Sequence, residues 1–319
     1  MAVYTHVPAE EMAAFLARYD GGELVSAKGI AEGVENSNYL VDTTTDRFIL
    51  TLYEKRVAAG DLPFFMALLD HLAAKHMPVP PAIKDRDGIA IQQLGGRPAC
   101  LIRFLPGISL SHPTPRQAMA TGRAMAEMHR AVEDFAPVRE NSMGVDHWRP
   151  LFERCGRDLD TISPGLYDAL GFRLDAVLRG WPDADAMPRG VIHADLFPDN
   201  VLMRGDEVSG LIDFYFACTD FRAYDLAVAH SAWTFDADGR RPNWAIGDAL
   251  VAGYQQVIPL HAAERTELTH LARGACLRFL LSRAWDWLNT PSDALVTRKD
   301  PMAYWRRLET YTERQDPLA

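Results

Sequence analysis

His193, Asp195 and Asn200 stand in the run His193-Ala194-Asp195-Leu196-Phe197-Pro198-Asp199-Asn200, and Asp213 follows in Leu211-Ile212-Asp213-Phe214-Tyr215. The pattern H-x-D-x-x-x-x-N, then an Asp ahead of Phe, supplies in order a base and two oxygen ligands for a cation on nucleotide phosphates. Asp195 has the chemistry to accept the proton of an attacking hydroxyl and to aim its oxygen at a γ-phosphorus. The amide oxygen of Asn200 and the carboxylate of Asp213 are hard donors of the kind that Mg²⁺ takes. His193 is expected to pin the loop through hydrogen bonds, because proton transfer already has a carboxylate. Asp-rich turns beside proline are also ordinary loop chemistry. Asp213 favours the chemical reading, since it lies on an apolar run of its own at the distance the reaction needs.

These side chains need elements to hold them. Val191-Ile192 before the loop and Val201-Leu202-Met203 after it read as short buried strands, so the polar groups sit on a turn between apolar anchors. Residues 208–214 repeat the pattern, an apolar run ending in a carboxylate at a strand's edge. Upstream, residues 8–19 place Met12, Phe15, Leu16 and Tyr19 at helical spacing behind an acidic first turn. Residues 23–27, 37–42 and 47–53 read as an antiparallel meander with Thr43-Thr44-Thr45-Asp46 as its second turn. The first turn is longer and contains Gly29, Gly33, Asn36, Ser37 and Asn38, whose backbone N–H groups are candidates to face the phosphates of ATP. A plain surface hairpin would have the same composition.

Residues 61–75 form an amphipathic helix pattern, and 89–92 with 99–104 a hairpin around Gly95-Gly96. Leu105-Pro106-Gly107 ends the last strand and marks a lobe boundary. Beyond it, residues 115–135, 151–180 and 243–287 carry helical patterns. His129, on the apolar face of the first, reads as a hydrogen-bonded core residue. The expected fold class is α+β in two lobes. Residues 1–105 would hold an N-terminal antiparallel sheet plus helix that binds nucleotide, and residues 106–319 a mostly helical lobe with the catalytic and acceptor-binding groups.

Composition bounds the partners. The 319 residues, 48% hydrophobic, suffice for two lobes with a substantial core. With 33 basic against 43 acidic residues the formal net charge is −10. There is no broad electrostatic reason to bind nucleic acid or an anionic membrane. Cys100, Cys155, Cys218 and Cys276 form no C-x-x-C pair, so buried reduced thiols are expected rather than a zinc site. Glu10 and Glu11 stand where a secretory signal would be positive, and no run of about 18 apolar residues occurs. A cytoplasmic protein is expected, and no feature speaks to its oligomeric state.

Four stretches together resemble the aminoglycoside phosphotransferase and choline kinase family of protein-kinase-like enzymes. They are Gly33-Val34-Glu35-Asn36-Ser37-Asn38-Tyr39-Leu40-Val41, the loop from His193 to Asn200, Asp213-Phe214-Tyr215-Phe216-Ala217-Cys218 with Tyr224-Asp225-Leu226-Ala227, and Arg278-Phe279-Leu280-Leu281-Ser282-Arg283. Within that family the chain resembles the bacterial homoserine kinases more than the antibiotic-modifying members. The resemblance spans nearly the whole chain and implies a two-lobed protein-kinase-like fold. It also implies ATP-dependent phosphorylation of the L-homoserine side-chain hydroxyl on the route to threonine, with Asp195 as base and Mg²⁺ held by Asn200 and Asp213.

A zwitterionic acceptor needs a basic and an acidic partner. Arg278, Arg283 and Asp286, on one predicted helix, are candidates, with an Arg283–Asp286 pair as the alternative. Asp225 is a candidate to hold the catalytic loop by its backbone. One departure stands out: Phe48-Ile49-Leu50-Thr51 puts Thr51 where kinase-like strands carry a phosphate-binding Lys. Lys28, Lys55 and Arg56 are the candidates to replace it. Alternatives to homoserine are another alcohol, choline-like or aminoglycoside-like, or a nucleotide-binding pseudokinase.

Overall fold

The computed structural model describes residues 5–30, 36–54, 58–290, 298–314 and 316–318. The chain divides into two compact units, Met1–Pro106 and Gly107–Ala319.

The first unit runs α1 (Ala9–Leu16), β1 (Leu24–Gly29), β2 (Asn36–Thr43), β3 (Arg47–Tyr53), α2 (Leu62–Ala74), β4 (Ala82–Ile83), β5 (Gln92–Leu94) and β6 (Arg97–Arg103). Its strands form one antiparallel sheet in the order β1-β2-β3-β6-β4, with β5 also on β6. Strand alternation sends Tyr39, Val41, Leu50, Leu52 and Leu101 to one face, where they join Met12, Phe15 and Leu16 of α1 and Tyr19 just after it in a single apolar core. The other face carries Asn38, Thr51 and Cys100, opposite one another across three strands. Cys100 Sγ lies 3.9 Å from Met66 Sδ, so α2 covers this second face.

Gly95 and Gly96, at φ 56° and 71°, supply the left-handed pair that a two-residue hairpin requires. The strand before them starts at Gln92, later than the expected Ile89. The reason is local: Asp85 Oδ1 accepts the N–H groups of Asp87 (3.0 Å) and Ile89 (2.8 Å) and bends that segment into a turn.

The second unit runs α3 (Pro115–Ala131), α4 (Val145–Cys155), α5 (Leu159–Ile162), α6 (Leu166–Arg179), β7 (Arg189–Ile192), β8 (Val201–Arg204), β9 (Glu207–Leu211), β10 (Cys218–Phe221), α7 (Arg222–Trp233), α8 (Trp244–Gln255), α9 (Ala262–Asn289) and α10 (Met302–Glu313). A reciprocal capping box starts α3: Gln117 N–H donates to Thr114 Oγ1 and Thr114 N–H to Gln117 Oε1. Helices α3 and α8 touch at their backbones. A Cβ on Gly122 would sit 1.9 Å from Leu250 O, and one on Gly253 2.0 Å from Met119 O, so only glycine permits this crossing. Helix α7 is buried at every residue from Ala223 to Trp233, as befits a helix in the middle of its unit. It packs against α9, which also meets α4 and α10.

Antiparallel β7 and β10 pair Ile192 with Cys218, and β8–β9 form a hairpin. The four cysteines are free and buried, as the sequence led one to expect. Among the described residues no helix is long and apolar enough to cross a membrane. The α+β class read from the sequence holds, with the six-stranded antiparallel sheet in the first unit and the second unit mostly helical around two two-stranded pairs.

Candidate active site

The loop of residues 193–200 leaves β7 and enters β8. Asp213 follows β9 and precedes β10. Because β7 pairs with β10 and β8 with β9, both carboxylate-bearing segments connect the same two strand pairs. Ile212 N–H donates to Asn200 O at 3.0 Å, which sets Asp213 directly beside Asn200. The strand expected over 208–214 ends earlier, at Leu211. Asp213 itself is exposed and left-handed (φ 66°), and residues 214–216 turn as a short 3₁₀ helix. The reason is that the chain must leave the β8–β9 hairpin to bring its carboxylate to the loop rather than extend the strand.

Asp195 is half-buried, and its position is fixed from several sides. Asn200 Nδ2 donates to Asp195 O (2.7 Å) and to Asp195 Oδ2 (3.2 Å). These bonds assign the amide nitrogen and leave Asn200 Oδ1 as an acceptor. Asp195 N–H donates to His193 Nδ1 (3.3 Å), while His193 Nε2 bonds Ile212 O (2.9 Å). The two partners select the Nε2–H tautomer of a neutral ring. Burial pushes the His193 imidazole below its usual range, against the opposing pull of Asp225. The ring also rests on Phe214, with centroids 4.5 Å apart. His193 thus makes hydrogen bonds to both segments, of the loop-pinning kind the sequence suggested.

Beneath the loop lies Asp225, fully buried in the first turn of α7, where the helix dipole favours a negative charge. Its Oδ1 accepts Ala194 N–H (2.7 Å), and its Oδ2 accepts His193 N–H (2.9 Å) and bonds His129 Nε2 (2.9 Å). His129 Nδ1 in turn meets Tyr254 Oη at 2.9 Å. Burial works against the Asp225 carboxylate, but the His129 and backbone hydrogen bonds outweigh it and hold the group below the usual range. His129 is therefore the hydrogen-bonded core residue expected, and Asp225 the loop anchor.

Arg278, expected to face an acceptor, is instead 2% exposed and donates through Nη1 to Ala194 O. It lies over the rings of Phe216 and Phe279, which shield it from solvent. Ala194 has φ 63°, a left-handed value that costs a non-glycine residue about 1–2 kcal/mol. Its N–H and its C=O are both tied down, by Asp225 and Arg278, and those ties impose the conformation. Trp233 Nε1 closes the set by donating to Leu196 O at 2.9 Å. No sequence signal marks Ala194, Arg278 or Trp233 for these parts, since each depends on a partner far away in the chain.

Arg283, on the same helix as Arg278, is half-buried over the Tyr304 ring and donates to Asp300 O at 3.4 Å. Burial and the charge of Arg307 lower its pKa, while Tyr304, Asp195 and Asp300 pull the other way. Asp195 thus lies within the electrostatic reach of Arg283. Asp286 follows three residues later, also half-buried.

In the first unit Gly29, Asn36, Ser37 and Asn38 are not in a turn. Gly29 ends β1 opposite Tyr39, and the other three open β2 opposite Tyr53, Leu52 and Thr51. The polar side chains satisfy one another across the sheet, which is why these residues extend rather than turn. Ser37 Oγ donates to Glu54 Oε1 (2.8 Å), and Thr51 Oγ1 to Asn38 Oδ1 (2.7 Å). Gly33, Lys55 and Arg56 lie outside the described residues. Thr51 is 2% exposed on β3. Lys28 is exposed on β1 and pairs with Leu40, which puts it on the same sheet face as Asn38 and Thr51.

Residues 26–266 match the phosphotransferase enzyme family. The homoserine kinase of Acidiphilium cryptum is 52% identical over 313 residues, 98% of this chain and 97% of that protein. That of Azorhizobium caulinodans is 54% identical over 308 residues, 97% and 95% of the two. Among solved structures, amicoumacin kinase in complex with AMP-PNP, Ca²⁺ and Ami superposes with a TM-score of 0.69 at 16% identity, covering 97% of this chain and 94% of that one. The last likeness establishes the fold.

Proposed function

The chain belongs to the phosphotransferase enzyme family, in its homoserine kinase group, and we propose that it moves the γ-phosphoryl group of ATP onto the side-chain hydroxyl of L-homoserine. The products are O-phospho-L-homoserine and ADP. The observation that carries this reading is 52% identity over 98% of the chain to a curated homoserine kinase. The loop geometry supports it.

In the proposed reaction the acceptor oxygen bonds to the γ-phosphorus as the bond from that phosphorus to the bridging oxygen breaks. ADP leaves with the electron pair, and the hydroxyl proton passes to the carboxylate of Asp195. Asn200 holds that carboxylate in place through Nδ2, and His193 holds the backbone beside it. The donor set suits a hard cation: Asn200 Oδ1 remains once Nδ2 is committed, and the exposed carboxylate of Asp213 comes from the segment whose Ile212 N–H bonds Asn200 O. These two oxygens would hold Mg²⁺, which when bound offsets phosphate charge. Lys28 and the backbone of Gly29 and Asn36 to Asn38 are the candidates for phosphate contact in the first unit.

Arg283 is our candidate for the acceptor carboxylate and Asp286 for its ammonium. Arg278 supports the loop. A cytoplasmic setting accords with a reaction fed by ATP and a free amino acid. The test is ADP release with Mg²⁺-ATP and L-homoserine, L-serine, L-threonine, choline or kanamycin as sole acceptor. Turnover confined to homoserine is expected, and turnover only with another acceptor rejects the assignment.

A further inference from the structure

A cavity of about 260 Å³ opens between the C-terminal end of α3 with the segment after it and the β7–β10 pair. Nothing in phosphoryl transfer uses it. Its walls are apolar at Val132, Val138 and Val191, and its polar groups are dominated by two arginines, Arg189 and Arg222. Arg222 is only 15% exposed, yet its Nε is buried without a hydrogen-bond partner. Its nearest carboxylate, Glu133, stands 3.4 Å away and is 61% exposed, so water competes for it. Arg189, which is exposed, donates through Nη2 to Thr219 O at 3.2 Å and lies over the Phe221 ring at 5.5 Å, so its fork keeps N–H groups for a ligand. A buried guanidinium N–H lacking an acceptor is rare in folded proteins and calls for a reason.

We propose that this cavity binds a small amphiphilic monocarboxylate, its carboxylate bonding Arg222 and Arg189 and its aliphatic or aromatic body filling the space among Val132, Val138 and Val191. Charge and shape both select this class. A guanidinium fork matches a carboxylate, the aliphatic wall favours an apolar body, and Glu133 at the rim repels ligands of higher negative charge. The site reaches the loop's support, because His129 forms part of its lining and braces Asp225, which holds His193 and Ala194. A bound carboxylate therefore packs against the residue that steadies the catalytic loop. None of this depends on which acceptor the enzyme phosphorylates.

Isothermal titration of the full chain with 3-phenylpropanoate, against 3-phenylpropan-1-ol and 3-phenylpropan-1-amine, tests the site. The carboxylate should saturate at one per chain and bind at least about tenfold more tightly than the alcohol or the amine. Arg222→Met should abolish binding while keeping turnover. Should that variant not fold, Val138→Trp, at a position 74% exposed on the rim, should block the mouth equally well. Saturating ligand should also slow amide exchange at His193 and Ala194 relative to α6. No saturable binding up to about 10 mM, equal binding of the alcohol, or binding unaltered in both variants overturns the site. Unaltered exchange at the two loop amides overturns its link to catalysis.

Discussion

Asp225→Asn isolates the buried anchor from the chemistry above it. The carboxylate receives three donors, the N–H groups of His193 and Ala194 and the imidazole of His129, on two oxygens with no exposure to water. An amide of the same shape keeps one oxygen. If that oxygen serves His193 and His129, the new NH₂ faces Ala194 N–H, and two donors confront each other in the interior. One unmet donor costs about 1–3 kcal/mol, and the charge-assisted character of the remaining bonds is also lost, so the variant should lose about 3–5 kcal/mol. For a unit of this size each kcal/mol moves the melting temperature by about 2–4 °C, which gives a drop of about 6–20 °C by calorimetry.

Catalysis should suffer separately. Ala194 is held left-handed by ties at both its N–H and its C=O, and losing one tie lets the loop relax and shifts Asp195. A displacement near 1 Å at a reacting group costs about 100-fold, so kcat should fall by about that factor while KM for ATP changes little. A variant that melts within about 2 °C of wild type and keeps kcat within about threefold would refute the anchoring argument.

Four further outcomes are expected. Asp195→Ala should lower kcat by about 10³-fold or more without lowering the melting temperature, because that half-buried side chain aims the nucleophile; near-normal turnover rejects it as base. Lys28→Met should raise KM for ATP about tenfold and spare KM for the acceptor, since Lys28 is an exposed cation on the Thr51 face; an unchanged KM removes it from the phosphates. Arg283→Gln should raise KM for the acceptor by about 10–100-fold with ATP binding intact, and equal effects on both substrates would count against a carboxylate contact. Stability should fall on acidification, because burial pushes the imidazoles of His193 and His230 below their usual range, His230 to about 3 with the charge of Arg314 adding to the effect. The unfolded chain takes up these protons below about pH 6.5 and the folded chain does not, so stability is full above that pH and drops below it by up to about 1.4 kcal/mol per pH unit for each ring. The urea midpoint should move between about pH 7.5 and pH 5, and less so in His230→Gln; a pH-independent midpoint contradicts the sign.

The candidate catalytic residues were legible in the chain because their spacing is local. His193, Asp195 and Asn200 lie within a single loop, and its positions relative to one another follow from a short stretch of backbone between apolar strands. The antiparallel meander, the Gly95-Gly96 hairpin and the amphipathic helices were legible for the same reason, since periodicity and turn chemistry act over a few residues. The third dimension decided which distant groups hold the loop. Asp225 meets His193 across 32 residues, Arg278 meets Ala194 across 84 and His129 meets Asp225 across 96, and only packing selects such partners. It also carried the pairing of β1 and β2 beyond the expected strands 23–27 and 37–42, to Gly29 and Asn36, where Asn36 Oδ1 accepts Glu54 N–H across the sheet. Arg278 changed from a residue facing an acceptor to one beneath the loop for a related reason: helical spacing gives a residue its face, but what that face meets is set by the aromatic rings and carbonyl groups that the rest of the chain places there.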